Sequence, residues 1–524
     1  MIYAKLFRGF LKYPKSNFVI FVLLLFNSTL LSQTYMPADP YNQLFFERNA
    51  IENNSNITSL ALRPTFFNNS NDFSVKYRSE IFINSGAPNL ENMSDRWVGK
   101  GVGIFSSINF SFRNTFLLGS IEPYYFIDQN AKYDEPLRIP LLSQLNDNQS
   151  HHKKSPYQTL GIREFQLYLH WKGVGGGISN ANMWWGPGIH TSLIMSNNTS
   201  GFPHIVLGTL EEKRINNWGF IGRYIFSKFD DRNIYEPYYT SVILGVTYYS
   251  NPIVSIGFTR SAMTGGTHER ADEISWGQAA LAFLKGVTFG GDYDAYVENW
   301  SYDDHTASGY VSTFFPNSKL TLFIDVGRND IAWDIYNMIL APDHSIATIF
   351  GMRKYDLFEN ENLFFGMEYA KLFSGRYIHR IYVGPFYNRD GYEFSSYNGR
   401  HFGAHSGPDS DDFIIYFGWQ QEKYTIIPSF NYERHGLQEP IIVLSTDQIQ
   451  DSLLNPWPEV KFEFRIDFRY RYKEYDLNLY FEQELVKNLE FKNKDRTGTV
   501  IWVGIERLID TDELGNKLRS LFKN

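Results

Sequence analysis

The stretch Lys461-Phe462-Glu463-Phe464-Arg465-Ile466-Asp467-Phe468-Arg469-Tyr470-Arg471-Tyr472-Lys473-Glu474 decides the fold. Every even position from Phe462 to Tyr472 is apolar or aromatic, and every odd position from Lys461 to Lys473 is charged. After Lys473-Glu474 the parity reverses, and Tyr475, Leu477, Leu479 and Phe481 carry the apolar face. A period of two is a strand with two faces of opposite solubility. In water an aromatic face of that length needs a second sheet to cover it, whereas in a bilayer acyl chains suffice. The charged face must then look into a closed lumen, because open sheet edges are not tolerated in hydrocarbon. The stretch predicts a hairpin of a transmembrane β-barrel, turning at Lys473-Glu474. Its cross-strand pairs follow by arithmetic: Arg471 with Asp476, Arg465 with Glu482, and Phe468 with Leu479 on the lipid side.

Composition agrees. Aromatic residues make up 17% of the 524, with 44 Phe and 35 Tyr, which suits a barrel with aromatic girdles. Mean hydropathy is nevertheless negative. No segment after the N-terminus has the roughly 18 uncharged apolar residues of a spanning helix. The net charge of −8 argues against a nucleic-acid partner. Cysteine is absent, which excludes thiol catalysis, thiolate metal sites and a lipid anchor on cysteine. At the start, Lys5, Arg8, Lys12 and Lys15 precede an apolar core from Phe18 to Phe26. Residues 1–33 therefore read as a secretory signal cut near Gln33, and 34–524 as one outer-membrane barrel.

Beyond residue 33 there is no linker, charge block or low-complexity run. Strand-like stretches follow one another, for example 73–83, 102–112, 162–171, 218–226, 241–249, 253–260, 320–325, 363–369, 413–420, 424–434 and 499–507. Roughly 18 to 20 such segments are expected, preferably an even number. Helical periodicity is confined to 512–521. Six stretches are too long for simple turns: 130–158, 186–216, 262–276, 328–345, 384–411 and 435–458. A barrel this wide cannot be filled by its strand side chains alone, so some of these are expected to fold inward as a plug.

Trp184-Trp185-Gly186-Pro187-Gly188 follows the glycine-rich stretch 173–177. Adjacent Trp side chains on a strand point to opposite faces, and Gly-Pro-Gly stops the strand in a turn. One reading puts one ring in the lipid girdle and the other in the lumen. A sharper one makes the inward ring a stacking platform for a sugar. Downstream come Ser192-Leu193-Ile194 and Phe202-Pro203. A second block holds Tyr387-Asn388-Arg389-Asp390-Gly391-Tyr392, Gly399-Arg400-His401-Phe402-Gly403 and Gly407-Pro408-Asp409-Ser410-Asp411. With weaker echoes at Arg260-Ser261-Ala262-Met263 and 364–369, this pattern resembles the Wzi family of capsule assembly proteins. The resemblance implies an 18-stranded outer-membrane barrel that binds capsular polysaccharide as a lectin. Better-known members carry a helical periplasmic bundle before the barrel, for which the short stretch after Gln33 is not a match.

Other constellations read as structural. His151-His152-Lys153-Lys154 lacks a spaced carboxylate and fits a solvated loop. Asp292-Tyr293-Asp294, with Tyr296 and Glu298, fits a lumen-facing acidic ladder. The Asp409-Ser410-Asp411-Asp412 cluster lacks the ligand spacing of a calcium loop. Gly403-Ala404-His405-Ser406-Gly407 has His where a nucleophile elbow needs Ser. The sequence thus points to no enzyme, cofactor or metal. It points to recognition of a capsular or other surface polysaccharide, with outer-membrane lipid around the barrel and capsule export machinery as a further partner. The residues that supply aromatic faces and polar groups for a sugar are Trp184, Trp185, Tyr387, Asp390, Tyr392, Arg400 and His401. A solute channel is the second reading and a barrel hydrolase the third.

Overall fold

Among the described residues, eighteen antiparallel strands close on themselves in the computed structural model of the protein. It describes residues 35–36, 38, 43–45, 47–48, 51, 60–66, 72–148, 155–271, 273–284, 303–329, 345–374, 384–437 and 457–509. The expected signal at 1–33 and the expected helical stretch at 512–521 lie outside them, as do His151–Lys154 and Asp292–Glu298. In chain order the strands are β1 (Asp72–Asn84), β2 (Gly101–Arg113), β3 (Leu117–Asp128), β4 (Tyr157–Trp171), β5 (Val174–Ser179) and β6 (His204–Thr209, continued by Lys213–Ile215). Then come β7 (Trp218–Lys228), β8 (Tyr238–Tyr248), β9 (Ile253–Thr264), β10 (Asp304–Phe315), β11 (Leu320–Asn329) and β12 (Ile346–Leu357). The last six are β13 (Asn360–Lys371), β14 (Ser410–Gln420), β15 (Tyr424–His435), β16 (Glu459–Tyr472), β17 (Tyr475–Leu489) and β18 (Lys494–Ile509). Each pairs with its neighbours in sequence, and β18 pairs with β1 from Val500↔Asn84 to Ile509↔Val75. No edge is left, as a hydrocarbon surround requires.

The β16–β17 hairpin has the register read from its sequence: Arg471 faces Asp476, Arg465 faces Glu482 and Phe468 faces Leu479. Lys473, at the turn, takes a left-handed φ of 54°. Arg471 is 2.8 Å from Asp476, and Arg465 is 3.8 Å from Glu482 but closer to Asp467, at 2.6 Å. Inward, Arg465 lies 4.0 Å above the Tyr480 ring and Arg469 4.8 Å above Phe45. Outward, the exposed large apolar side chains include Ile81, Leu169, Leu244, Ile256, Phe350, Phe417, Phe464 and Val503, spread around the wall. Such a continuous apolar belt suits acyl chains rather than water.

Short turns at 114–116, 172–173, 216–217, 249–252, 316–319, 358–359, 421–423 and 473–474 all lie at one end. The connections that follow β1, β3, β5, β9, β11, β13 and β15 all leave and re-enter the wall at the other. The expected loop 186–216 is shorter than its sequence suggests, because residues 204–215 pair with β5 and β7 as wall strand β6. The loop 85–100, not singled out in the sequence, also turns inward: Leu90, Trp97 and Val98 are buried.

Phe468→Arg should cost about 2–4 kcal/mol, since it places a cation on the lipid face. Arg469→Gln, on the lumen face, should cost less. Folding titrations into bilayers measure both, and equal losses would contradict the assignment of the two faces.

Candidate functional site

The plug begins with the chain before β1. Glu47 is buried and reaches lumen-facing wall residues: Arg353 Nε at 2.9 Å, Tyr355 Oη at 2.9 Å and Thr321 Oγ1 at 3.2 Å. Arg48 donates to the carbonyls of Gln420 and Glu361, near the short-turn end. Farther on, Leu62–Arg63 forms a two-residue ladder with Trp184–Trp185 inside the barrel. Here the expectation for the tryptophans needs correcting. They belong to this inner ladder and not to the wall, so protein covers both faces, and the rings are 0% and 1% exposed. Neither ring is in the lipid girdle or open to a ligand. The Arg63 guanidinium lies 4.7 Å over Trp184 and donates to the carbonyls of Gly186 (3.0 Å) and Gly188 (2.7 Å). Gly186 has φ +119°, a conformation that a side chain would strain.

The two loops singled out in the sequence, after Trp185 and around Tyr387–Asp411, meet within the lumen. Tyr387 Oη donates to Leu193 O (2.6 Å), Ser196 N to Phe402 O (2.7 Å), Asn198 Nδ2 to His401 O (3.1 Å) and Thr199 Oγ1 to Tyr397 O (2.6 Å). Tyr387 stacks on His401 at 5.3 Å and 14°. A Cβ on Gly403 would stand 2.2 Å from Tyr387 Oη and 2.3 Å from Leu193 O, so only glycine allows this approach. Burial raises the Tyr387 phenol and lowers His401 to about 4, leaving that imidazole neutral with Nδ1 donating to Phe394 O at 2.8 Å. Tyr392, Tyr397 and Phe402 join Trp185 and wall residues Tyr168, Ile225, Tyr239 and Tyr310 in one apolar cluster.

Buried wall carboxylates hold the plug. Glu368 of β13 accepts three successive backbone N–H groups, from Ile189 (2.7 Å), His190 (3.0 Å) and Thr191 (3.3 Å). Asp412 of β14 meets His190 Nε2 at 3.0 Å, His405 Nε2 at 3.2 Å and Thr191 Oγ1 at 3.2 Å, and accepts from Asn431 at 2.6 Å. Burial opposes a charge on His405, but the carboxylates of Glu91 and Asp412 outweigh it and lift the imidazole to about 9. On this side, against β14–β18 and β1, the lumen keeps a cavity of about 210 Å³ lined by Arg78, Arg96, Arg465 and Arg469 and by Glu80, Glu463, Asp467 and Glu482. Phe45, Thr425 and Arg469 also line a second cavity, of about 610 Å³, beside the 421–423 turn, so the charged space leads toward the short-turn end.

Of the seven residues proposed for sugar contact, six are buried within the plug. Arg400 donates to the carbonyls of Leu90 (3.4 Å) and Ser94, and burial pushes it down to about 10. Asp390 stands apart, exposed, with Oδ1 accepting from the Gly391 N–H at 2.9 Å. Near it, at the long-loop end, are residues that the sequence reading missed. Burial and the carboxylates of Glu393 and Asp390 push the Tyr235 phenol up, and Tyr235 meets the His268 ring edge-on at 4.7 Å. Arg232 pairs with Asp230 at 2.7 Å and lies 4.9 Å over Tyr397. Nothing in the sequence brings 230–235, 268 and 390 together.

No family model matches the chain, and no curated protein matches its sequence. Solved structures resemble it. The outer membrane protein Wzi of Escherichia coli, described as a carbohydrate-binding β-barrel involved in group 1 capsule assembly, aligns over 82% of this chain and 83% of its own, at 10% identity and a TM-score of 0.53. Pseudomonas aeruginosa OprD aligns over 84% and 96% at 7% identity and a TM-score of 0.41. Acinetobacter baumannii OccAB4 aligns over 84% and 98% at 9% identity and a TM-score of 0.40. The chain is an outer-membrane-type β-barrel.

Arg400→Ala should lower the unfolding midpoint, at a cost of about 2 kcal/mol, because it leaves buried carbonyls unpaired. Asp390→Ala should leave the midpoint unchanged; equal effects would contradict their placement. Burial also raises the Glu393 carboxyl to about 7 from 4.5, although it accepts from the Ile234 N–H. A raised carboxyl pKa penalises the folded state once the unfolded chain ionises. Glu393→Gln should therefore change nothing below pH 4.5 and stabilise increasingly up to pH 7, with a constant gain above. Denaturant midpoints across that range measure it.

Proposed function

We propose that this protein is a non-enzymatic outer-membrane barrel that binds and anchors capsular or other surface polysaccharide at its long-loop end. One observation carries the reading: plug loops occupy much of the lumen and bond to each other and to the wall. Such an interior favours display over conduction, and leaves the outer ends of the loops as the surface for recognition. In barrels of this type short turns face the periplasm and long loops face outward. Sugars need aromatic faces for C–H contacts and charged groups for hydroxyls or a uronate. Tyr235, His268, Arg232 and Asp390 offer both at the outward end. The carbohydrate binding described for the Escherichia coli Wzi barrel agrees with this reading.

The charged cavity toward the short-turn end favours a second reading, a channel for solutes. Planar-bilayer recordings separate the two. A polysaccharide anchor should be nearly silent, while steady single-channel conductance by the intact barrel would support the channel.

Tyr235→Ala combined with Asp390→Ala should weaken retention of labelled polysaccharide on folded barrels about tenfold, the equivalent of 1.4 kcal/mol. Heat-modifiable mobility should stay normal. Full retention by the double variant would remove these residues from the binding surface.

A further inference from the structure

Three distant parts of the chain bring ligand-type atoms to one point between plug and wall. His190 comes from the loop after β5, His405 from the loop before β14, and Asp412 from the first turn of wall strand β14 itself. Nε2 of His190 is 3.0 Å, and Nε2 of His405 3.2 Å, from the same Asp412 oxygen. Glu91 Oε2, from the inward loop 85–100, is 3.6 Å from His405 Nε2. The donor atoms of His190, His405 and Asp412 lie within 4.8 Å of one another, as do those of Glu91, His405 and Glu433. Bonds of about 2.0–2.1 Å in a tetrahedron place neighbouring donors about 3.3 Å apart, close to the 3.0 and 3.2 Å by which the two imidazole nitrogens stand from the Asp412 oxygen.

A second observation points the same way. His405 is 2% exposed, and its Nε2 faces the cluster without making a hydrogen bond of acceptable geometry among the described residues. It stands 3.2 Å from the Asp412 carboxylate, with which it forms an ion pair when protonated. Carboxylates crowd this point: Lys461 is shared by Glu91, Glu433 (2.6 Å) and Glu463 (3.4 Å), and His435 pairs with Glu433 at 2.7 Å. The carboxylate that would bind is held in place: Asn431 Nδ2 lies 2.6 Å from Asp412 Oδ1, and Thr191 Oγ1 donates to Oδ2. Supporting groups of this kind fix a metal ligand's orientation. Glu91, His190 and Asn431 line the charged cavity, which gives an ion a route in from the short-turn end.

We propose that His190 Nε2, His405 Nε2 and an Asp412 carboxylate oxygen bind one divalent ion of the zinc class, with a water molecule as fourth ligand. Two imidazoles select a borderline transition ion over calcium or magnesium, which prefer all-oxygen shells. The ion would clip both plug loops to the wall at one point. The competing occupant is a proton on His405, which would make the cluster an ordinary ion pair.

The test uses the full-length barrel, folded in detergent and stripped with chelator. Zinc chloride titrated calorimetrically should bind at one equivalent and raise the unfolding midpoint, while calcium chloride should do neither. Cobalt(II) should give the intense visible bands of a four-coordinate ion. His190→Gln with His405→Gln should abolish the saturable equivalent, with folding verified by heat-modifiable mobility. His151→Gln with His152→Gln should keep it. Absence of saturable zinc binding by the folded wild-type barrel would overturn the proposal, as would binding that survives in the His190/His405 variant. Should that variant fail to fold, the wild-type cobalt spectrum decides, and weak octahedral bands overturn the site.

Discussion

Hydrocarbon offers no hydrogen bonds, and that one constraint organises the molecule. Every backbone N–H and C=O at the level of the acyl chains needs a partner within the protein, so the last strand must pair with the first. It does so along most of its length, from Val500↔Asn84 to Ile509↔Val75. Closure with eighteen strands then creates a second problem, a lumen wider than its own side chains can fill. The chain solves it with loops from one end and its own N-terminal segment. Loop backbone brought indoors carries unpaired polar groups of its own. Glu368, accepting from three consecutive amides, and Arg63, donating to two carbonyls, show how these are met. A buried carboxylate without such partners would be costly, so the anchors and the plug depend on each other.

This division separates what the sequence discloses from what it hides. The β16–β17 register was legible to the residue, because strand faces follow a local period of two and the parity switch marks the turn. Membrane class and a count of roughly 18 to 20 strands follow from the same local signal. The plug does not. Trp184 and Trp185 look like wall residues by period, yet they pair with Leu62–Arg63, more than a hundred residues away in sequence. The loops after Trp185 and around Tyr387 were recognisable as partners only through shared composition and family resemblance. Their contacts, such as Tyr387 with Leu193, join residues 194 apart, and no local pattern encodes that separation. The candidate sugar residues were chosen for chemical type, and buried stacking uses the same types as ligand stacking. Hence Tyr387, Tyr392 and His401 emerged as packing, and half-buried Tyr235 was overlooked.

The lumen is also divided in kind. Against β4, β7, β8 and β10 the plug packs through apolar contacts with Tyr168, Ile225, Tyr239 and Tyr310. Against β14–β18 and β1 it meets charges, and space remains. Rings interlock at van der Waals distance and exclude water, whereas paired ions retain some hydration and tolerate gaps. The apolar side therefore fixes the plug's position. The charged side is where a plug could part from the wall, since its contacts strengthen or weaken with ionisation while packing does not.

That asymmetry explains why the clustering of His190, His405 and Asp412 matters beyond its own chemistry. These residues lie on the charged side, where the loop after β5 and the loop before β14 share one wall carboxylate. Screening by salt would loosen surface pairs there, but a fully buried contact responds little. Arg353 with Glu47 repeats the arrangement near the opposite end, tying the N-terminal segment to β12 through a charge-assisted pair. The plug is thus fastened at both ends by buried charge and seated along one side by aromatic packing. An interior held this way suits a barrel that presents its outer loops as a fixed surface, because recognition of a polymer at the loop tips needs those tips to keep their spacing.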